Sequence, residues 1–329
     1  VLFLVFAPIL LREVHGARPG KIDLLSVILS ATGLLVAIYG VKHVATYGMS
    51  LLAGGLIALG VGVLTVFALR QRKLETPLLD IALFRRHVFA VAILTGLLSL
   101  FVWSAAAYLS MTYLQSVLGY SVLHAALLAI PGAVVLTLSC VLTPLLVERI
   151  GARAALIVCN FSIAVGMALL VLTSESTGAA FYIASTMVSG IGFGISFSLV
   201  ADTAVGAVPE SRAGAASAIA ETSNEIGNAL GIALLGSLLT VVFRANYPGD
   251  ETGIAEVIDA RGTASVAFEL ARTSFLSGFH VVAIVAALIC AGLGILAIRW
   301  IPKAVVAPSV AENESCPTSP NASPPPPGF

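Results

Sequence analysis

The chain has 329 residues, of which 58% are hydrophobic and 10% charged, and its mean hydropathy is +1.03. Soluble domains carry roughly 25% charged residues, so this chain lacks the polar side chains to cover a water-facing surface, and a soluble globular fold is excluded. Its 17 basic and 17 acidic residues cancel, which leaves no basic field to recruit nucleic acid.

Residues 1–11 are apolar and end at Arg12 and Glu13. A spanning helix needs ~20 apolar residues, and a signal peptide would carry a basic residue ahead of its apolar core. The segment therefore reads as the end of a truncated transmembrane helix, with missing N-terminal helices of the same protein as expected partners. Apolar stretches long enough to cross a bilayer follow at about residues 22–41, 50–69, 88–112, 122–147, 154–173, 179–201, 213–242 and 279–301. In lipid every backbone polar group needs an internal partner, which leaves helices or closed barrels. These runs are continuous rather than alternating, so helices are predicted. The fold class expected is an all-α polytopic membrane protein in contact with the lipid bilayer.

The connectors orient it. Arg12, Arg18, Lys21, Arg70, Arg72, Lys73, Arg85, Arg86, Arg149, Arg153, Arg212, Arg299 and Lys303 fall on one side, and Lys42, Arg244, Arg261 and Arg272 on the other. The basic side is expected to be cytoplasmic, together with the C-terminus. Residues 70–87 read as a cytoplasmic linker and 88–301 as a six-helix bundle. Residues 243–278 read as an external loop with one or two short amphipathic helices on the outer face. Residues 302–329, with four consecutive prolines, read as a disordered tail in which the two glycosylation-like sequences are chance matches.

Cys140, Cys159, Cys290 and Cys316 show no CxxC or histidine pairing. No disulfide framework, metal site or cofactor is predicted. No His/Asp/Cys constellation sits at a membrane face, which argues against an enzyme. An ionisable residue within a span costs at least ~2.5–3.5 kcal/mol at mid-bilayer. Asp23 is expected to cap a helix N-terminus, Asp202 to anchor a loop, and His124 to lie at the interface. Glu221 and Glu225 stand apart, because they sit nine and thirteen residues into an apolar helix beginning at Ala213. Their i, i+4 spacing shares one face, Asn228 extends the stripe, and Asn224 lies one position off it. Two such carboxylates in low dielectric cannot both ionise cheaply, so they suit alternate binding of a proton and a cation; packing as neutral acids is the competing expectation.

Gly227 and Gly231 form a GxxxG step on the same helix, and Gly190, Gly192 and Gly194 offer a small-residue face expected to partner it. Phe101, Trp103, Tyr108, Phe193 and Phe197 are candidates to line an apolar cavity with cation–π faces. Pro131 and Pro144 are expected to kink their span.

Taken in order, several segments resemble the fourteen-helix drug:proton antiporter branch of the major facilitator superfamily. They are Pro77-Leu78-Leu79-Asp80 with Leu83-Phe84-Arg85; Tyr113-Leu114-Gln115 with Gly119-Tyr120-Ser121 and Pro131; and Glu148-Arg149-Ile150-Gly151-Ala152-Arg153. The set continues through Val208-Pro209-Glu210-Ser211-Arg212-Ala213-Gly214 and Glu221-Thr222-Ser223-Asn224-Glu225-Ile226-Gly227. The last of these, with Ser277-Gly278-Phe279-His280, is most similar to the quaternary-ammonium-compound efflux pumps. The resemblance implies that residues 22–69 are two inserted helices between bundles and that 88–301 are the C-terminal transport bundle. It further implies a cytoplasmic gate at Glu148, Arg149, Gly151 and Arg153, with Glu148 where aspartate is usual. Glu221 and Glu225 would couple protons to a small lipophilic cationic substrate held by Asn224, Asn228, Phe101, Trp103, Tyr108 and Phe197. The family's first-helix acid, fourth-helix arginine and fifth-helix motif would all precede Val1, so residues 1–329 are not expected to transport alone. An exporter of an anionic or neutral metabolite or lipid, and a non-transporting membrane fragment or scaffold, remain open at this point.

Overall fold

The computed structural model describes residues 23–48, 50–71, 73–74, 81–208 and 213–301. The truncated helix end expected at 1–11, the tail expected at 302–329 and the stretches Pro77-Leu78-Leu79-Asp80 and Pro209-Glu210-Ser211-Arg212 lie outside the described residues. All of the regular structure described is helical.

Helices α1 (Leu24–Tyr47) and α2 (Leu51–Gln71) form an antiparallel hairpin. Its seam is made of small residues at seven-residue intervals: Ser26 meets Gln71, Gly33 meets Leu64, and Gly40 meets Ile57, while Gly60 sits on Ala37. Lipid gives no hydrophobic reward for helix pairing, so close backbone approach across glycines has to supply the contact. Large side chains such as Leu24, Leu35, Leu51 and Leu59 point outward. Asp23 stands at the N-cap position of α1, as expected, though without a side-chain capping bond to the helix backbone. Its carboxylate instead accepts from Arg70 of α2 at 3.0 and 3.2 Å and from the Ser26 hydroxyl at 2.6 Å. The hairpin leans on the rest of the molecule where Arg244 donates to the Thr46 carbonyl.

Helix α3 (His87–Thr112) runs on through a π-helical turn, Tyr113–Val117, and is buried along most of its length. The stretch Val122–Leu169 (α4) holds the two expected helices, which meet at Gly151, whose φ of 80° and ψ of 155° reverse the chain. Contacts with α5 (Ala180–Gly206) establish the reversal: Gly132 meets Thr186 and Gly190, whereas Gly166 meets Ser189 and Gly192 meets Cys159. The first half of α4 is thus parallel to α5 and the second half antiparallel. Pro131 and Pro144 lie within the helix without further departures from helical φ/ψ.

Helix α6 (Ala213–Leu230) passes through a π-helical turn at Gly231–Leu235 into α7 (Gly236–Asn246). The region expected as a long loop holds one short helix, α8 (Ile254–Arg261). The final helix α9 (Val266–Trp300) begins well before residue 279, because Ser265 accepts from the Phe268 amide and starts it there. At that end Tyr113 stacks on Phe279 at 5.6 Å, and its hydroxyl donates to the carbonyls of Ser174 and Gly178. Seven helices among the described residues are long and apolar enough to cross a membrane, and Val122–Leu172 is long enough to do so twice.

Candidate functional site

Helix α6 is markedly amphipathic, which is unusual for a span. Ala216, Ile219, Ala220, Ser223 and Gly227 are its buried face. An added Cβ at Gly227 or Gly231 would collide with the carbonyl oxygens of Leu97 and Phe101 on α3. The GxxxG step therefore clasps α3, one turn matched to one turn. This corrects the expected pairing with Gly190, Gly192 and Gly194, which face the two halves of α4 instead. The reason is geometric: α5 is wedged between those halves and uses its glycines to fit.

With that face buried, Glu221 and Glu225 point the other way and are exposed within the described residues. The expectation that the acids are hidden inside this bundle is corrected. They form a carboxylate stripe one turn apart on the open side of α6, above the small residues Gly214, Ser217 and Ala218. Asn224 turns inward, to the junction of α3, α5 and α6. A Cβ on Gly96 would stand 2.6 Å from its Oδ1 and 2.8 Å from Val200 Cγ1, so only glycine leaves room there. That oxygen is buried with no hydrogen-bond partner in the described residues, an arrangement that costs about 1–3 kcal/mol. Asn228 is fixed by its backbone, since the Ser104 hydroxyl donates to its carbonyl at 2.9 Å where the π turn begins. Gly96 and Ser104 were not singled out from sequence; their signal was small residues recurring on an otherwise bulky helix.

The aromatic candidates divide. Trp103 meets Phe193 edge-on at 5.3 Å and Phe197 at 6.3 Å, bridging α3 and α5. Phe101 is buried in the core and does not join them, and Tyr108 is exposed at 59%. Register separates this cluster from the acids. A Cβ on Gly227 meets the Leu97 carbonyl oxygen and one on Gly231 meets both the Phe101 carbonyl oxygen and Ser104 Oγ, so Trp103 lies about five or six residues beyond the level of Glu225, roughly 8 Å at 1.5 Å per residue. Beside Trp103 and Phe193 opens a cavity of about 160 Å³ between α3, both halves of α4 and α5.

At the opposite end of α3, the segment around the chain reversal is anchored on one side only. Arg153 donates to the Ile298 carbonyl in the last turn of α9 at 2.7 Å, where a cation also suits the helix dipole. Its Nε is buried without a partner. Glu148 and Arg149 are exposed. Gly151 holds a conformation that side-chain-bearing residues avoid. No cluster of three His, Cys, Asp or Glu suited to a metal occurs among the described residues. Cys159 and Cys290 are buried free thiols, and Cys159 donates to the Gly192 carbonyl.

The Major Facilitator Superfamily model matches residues 25–232. Similar proteins include the multidrug efflux pump LfrA of Mycolicibacterium smegmatis, 33% identical over 304 residues that cover 87% of this chain and 60% of LfrA. The multidrug resistance protein Stp of Mycobacterium tuberculosis is 25% identical, over 77% of this chain and 52% of its own length. The puromycin resistance protein pur8 of Streptomyces alboniger is 27% identical, over 79% and 52%. The chain thus spans between about half and 60% of the length of these relatives. With its helical architecture, its membrane-length helices and this match over most of its length, the chain belongs to the Major Facilitator Superfamily.

Proposed function

We propose that this chain is the C-terminal portion of a fourteen-helix drug:proton antiporter, akin to the quaternary-ammonium-compound pumps, that exports lipophilic cations. The observation that carries the reading is the pair of carboxylates, Glu221 and Glu225, one turn apart on the uncovered face of an amphipathic, membrane-length helix. In a bilayer a bare carboxylate pair is costly unless it faces a cavity or partner. A preceding six-helix half closing on this face would enclose them at the centre of the transporter. Alternating access would then rock the two halves around that site.

Each carboxylate holds a proton in one state and a substrate cation in the other. Moving one charge through 100 mV supplies ~2.3 kcal/mol to drive the exchange. Arg153 ties the chain reversal to the end of α9. The basic ends, including the C-terminus, are placed on the cytoplasmic side of the plasma membrane by the excess of arginine and lysine. The names of similar proteins, which include two multidrug proteins and a puromycin resistance protein, support drug export.

The uncharged cavity beside Trp103 favours a second reading, export of a neutral compound. The test is efflux of tetraphenylphosphonium from cells making the full-length transporter. Glu221→Gln is expected to lower proton-driven efflux at least tenfold, and residues 1–329 alone to give none. Undiminished efflux by the Gln variant would sink the coupling role and leave the neutral-substrate reading standing.

A further inference from the structure

We propose that the cavity between α3, α4 and α5 is a binding site for an uncharged, single-ring aromatic group bearing one hydrogen-bonding substituent. It is distinct from the carboxylate stripe on α6. The inference deepens the drug-export reading, on which it rests only for the identity of the natural ligand.

Three observations carry it. The first is size: about 160 Å³ matches apolar cavities of ~150 Å³ that stay dry and admit benzene. The second is the wall. Trp103 and Phe193, which meet edge-on at 5.3 Å, line the space together with Met111 and Met167, whose flexible, polarizable thioethers adapt to ring shape. No charged side chain lines it, so an ion entering there would have no partner.

The third observation is the polar inventory. Five hydroxyls line the cavity. Ser185 donates to the Gly166 carbonyl, Ser189 to that of Ser185, and Thr186 to that of Ile183. Those three are occupied by backbone. Ser110 Oγ and Tyr182 Oη make no side-chain hydrogen bond among the described residues, although both residues are buried. A pocket that is apolar except for two free hydroxyls, one on α3 and one on α5, selects a neutral ring with a single polar group. The site lies roughly 8 Å along α3 from the level of Glu225, and neither carboxylate lines it.

The chain suits a direct test, because it holds two tryptophans, Trp103 and Trp300. Trp300 lies against the His87 ring, tilted and 5.2 Å away, at the far end of α9. In Trp300→Phe protein of residues 1–329, Trp103 is the sole tryptophan, and 4-iodophenol, neutral at pH 7, quenches it on contact through its iodine. In nanodiscs we expect a saturable quenching component above the linear partitioning background. Ala133→Phe, at an exposed cavity-lining position, should abolish the saturable part. The Ser110→Ala, Tyr182→Phe double variant should weaken it roughly 2- to 10-fold, the worth of a neutral hydrogen bond. Glu221→Gln with Glu225→Gln should leave it unchanged.

Purely linear quenching, or saturable quenching indifferent to Ala133→Phe, would overturn the site. So would saturation in detergent that a bilayer abolishes, which would assign the cleft to lipid chains. Because the readout is binding, its failure leaves the efflux test of Glu221 standing, and failure of that efflux test leaves this site standing.

Discussion

Gly151 shows how one residue can decide a topology. Its φ of 80° and ψ of 155° lie in a region essentially reserved for glycine, and they turn two membrane-length helical stretches back on each other without a loop. No heavy atom lies near enough to obstruct an added Cβ there, so the constraint is backbone conformation rather than space. Gly151→Ala is therefore expected to cost about 1–3 kcal/mol and to lower the unfolding temperature of the detergent-solubilised protein. An unchanged transition would show that the reversal does not depend on this conformation. Asn224 is a different case: its position one step off the acidic stripe was visible in the sequence, but its unpaired, buried oxygen was not. The absence of a side chain at Gly96, 128 positions earlier, is what admits it.

Helix pairing in this protein rests on backbone proximity. Gly227 and Gly231 clasp α3 so closely that a methyl group at either would strike a carbonyl oxygen, whereas nothing lies within 4 Å of a Cβ at Gly236. Gly227→Ala should cost about 1–3 kcal/mol by overpacking, while Gly236→Ala should be neutral or slightly stabilising through helix propensity. Thermal unfolding of the two variants side by side checks this, and equal behaviour would refute the clasp. The α1–α2 hairpin adds an ionic tie. Hydrogen bonds from Arg70 and then Ser26 hold the Asp23 carboxyl down to about 2 from an ordinary 3.8. A depressed carboxylate contributes above its unfolded value and loses that contribution on acidification. The tie should thus be complete at neutral pH and vanish as pH falls from 3.8 through about 2. Spin labels at Leu25 and Lys73 should report a distance distribution that broadens over that window. Asp23→Asn should be broad already at pH 7; a narrow distribution there would show that the glycine seam suffices alone.

Across the molecule, two chemically different surfaces occupy different levels of one bundle. The acids of α6 sit on its open side, and the aromatic cavity lies roughly 8 Å further along α3. Composition and hydropathy alone established a polytopic helical membrane protein, because a chain with 10% charged residues cannot clothe itself in water and lipid leaves few backbone solutions. The ordered motifs were enough to mark the superfamily, and spacing placed Glu221 and Glu225 on one helix face. Which face that is, which glycines meet which helix, and which aromatics converge were decided only by tertiary structure. Helical periodicity fixes the angle between side chains of one helix, but not the rotation of that helix against its neighbours. That rotation is set by close backbone contacts between residues far apart in the chain, such as Gly227 with Leu97.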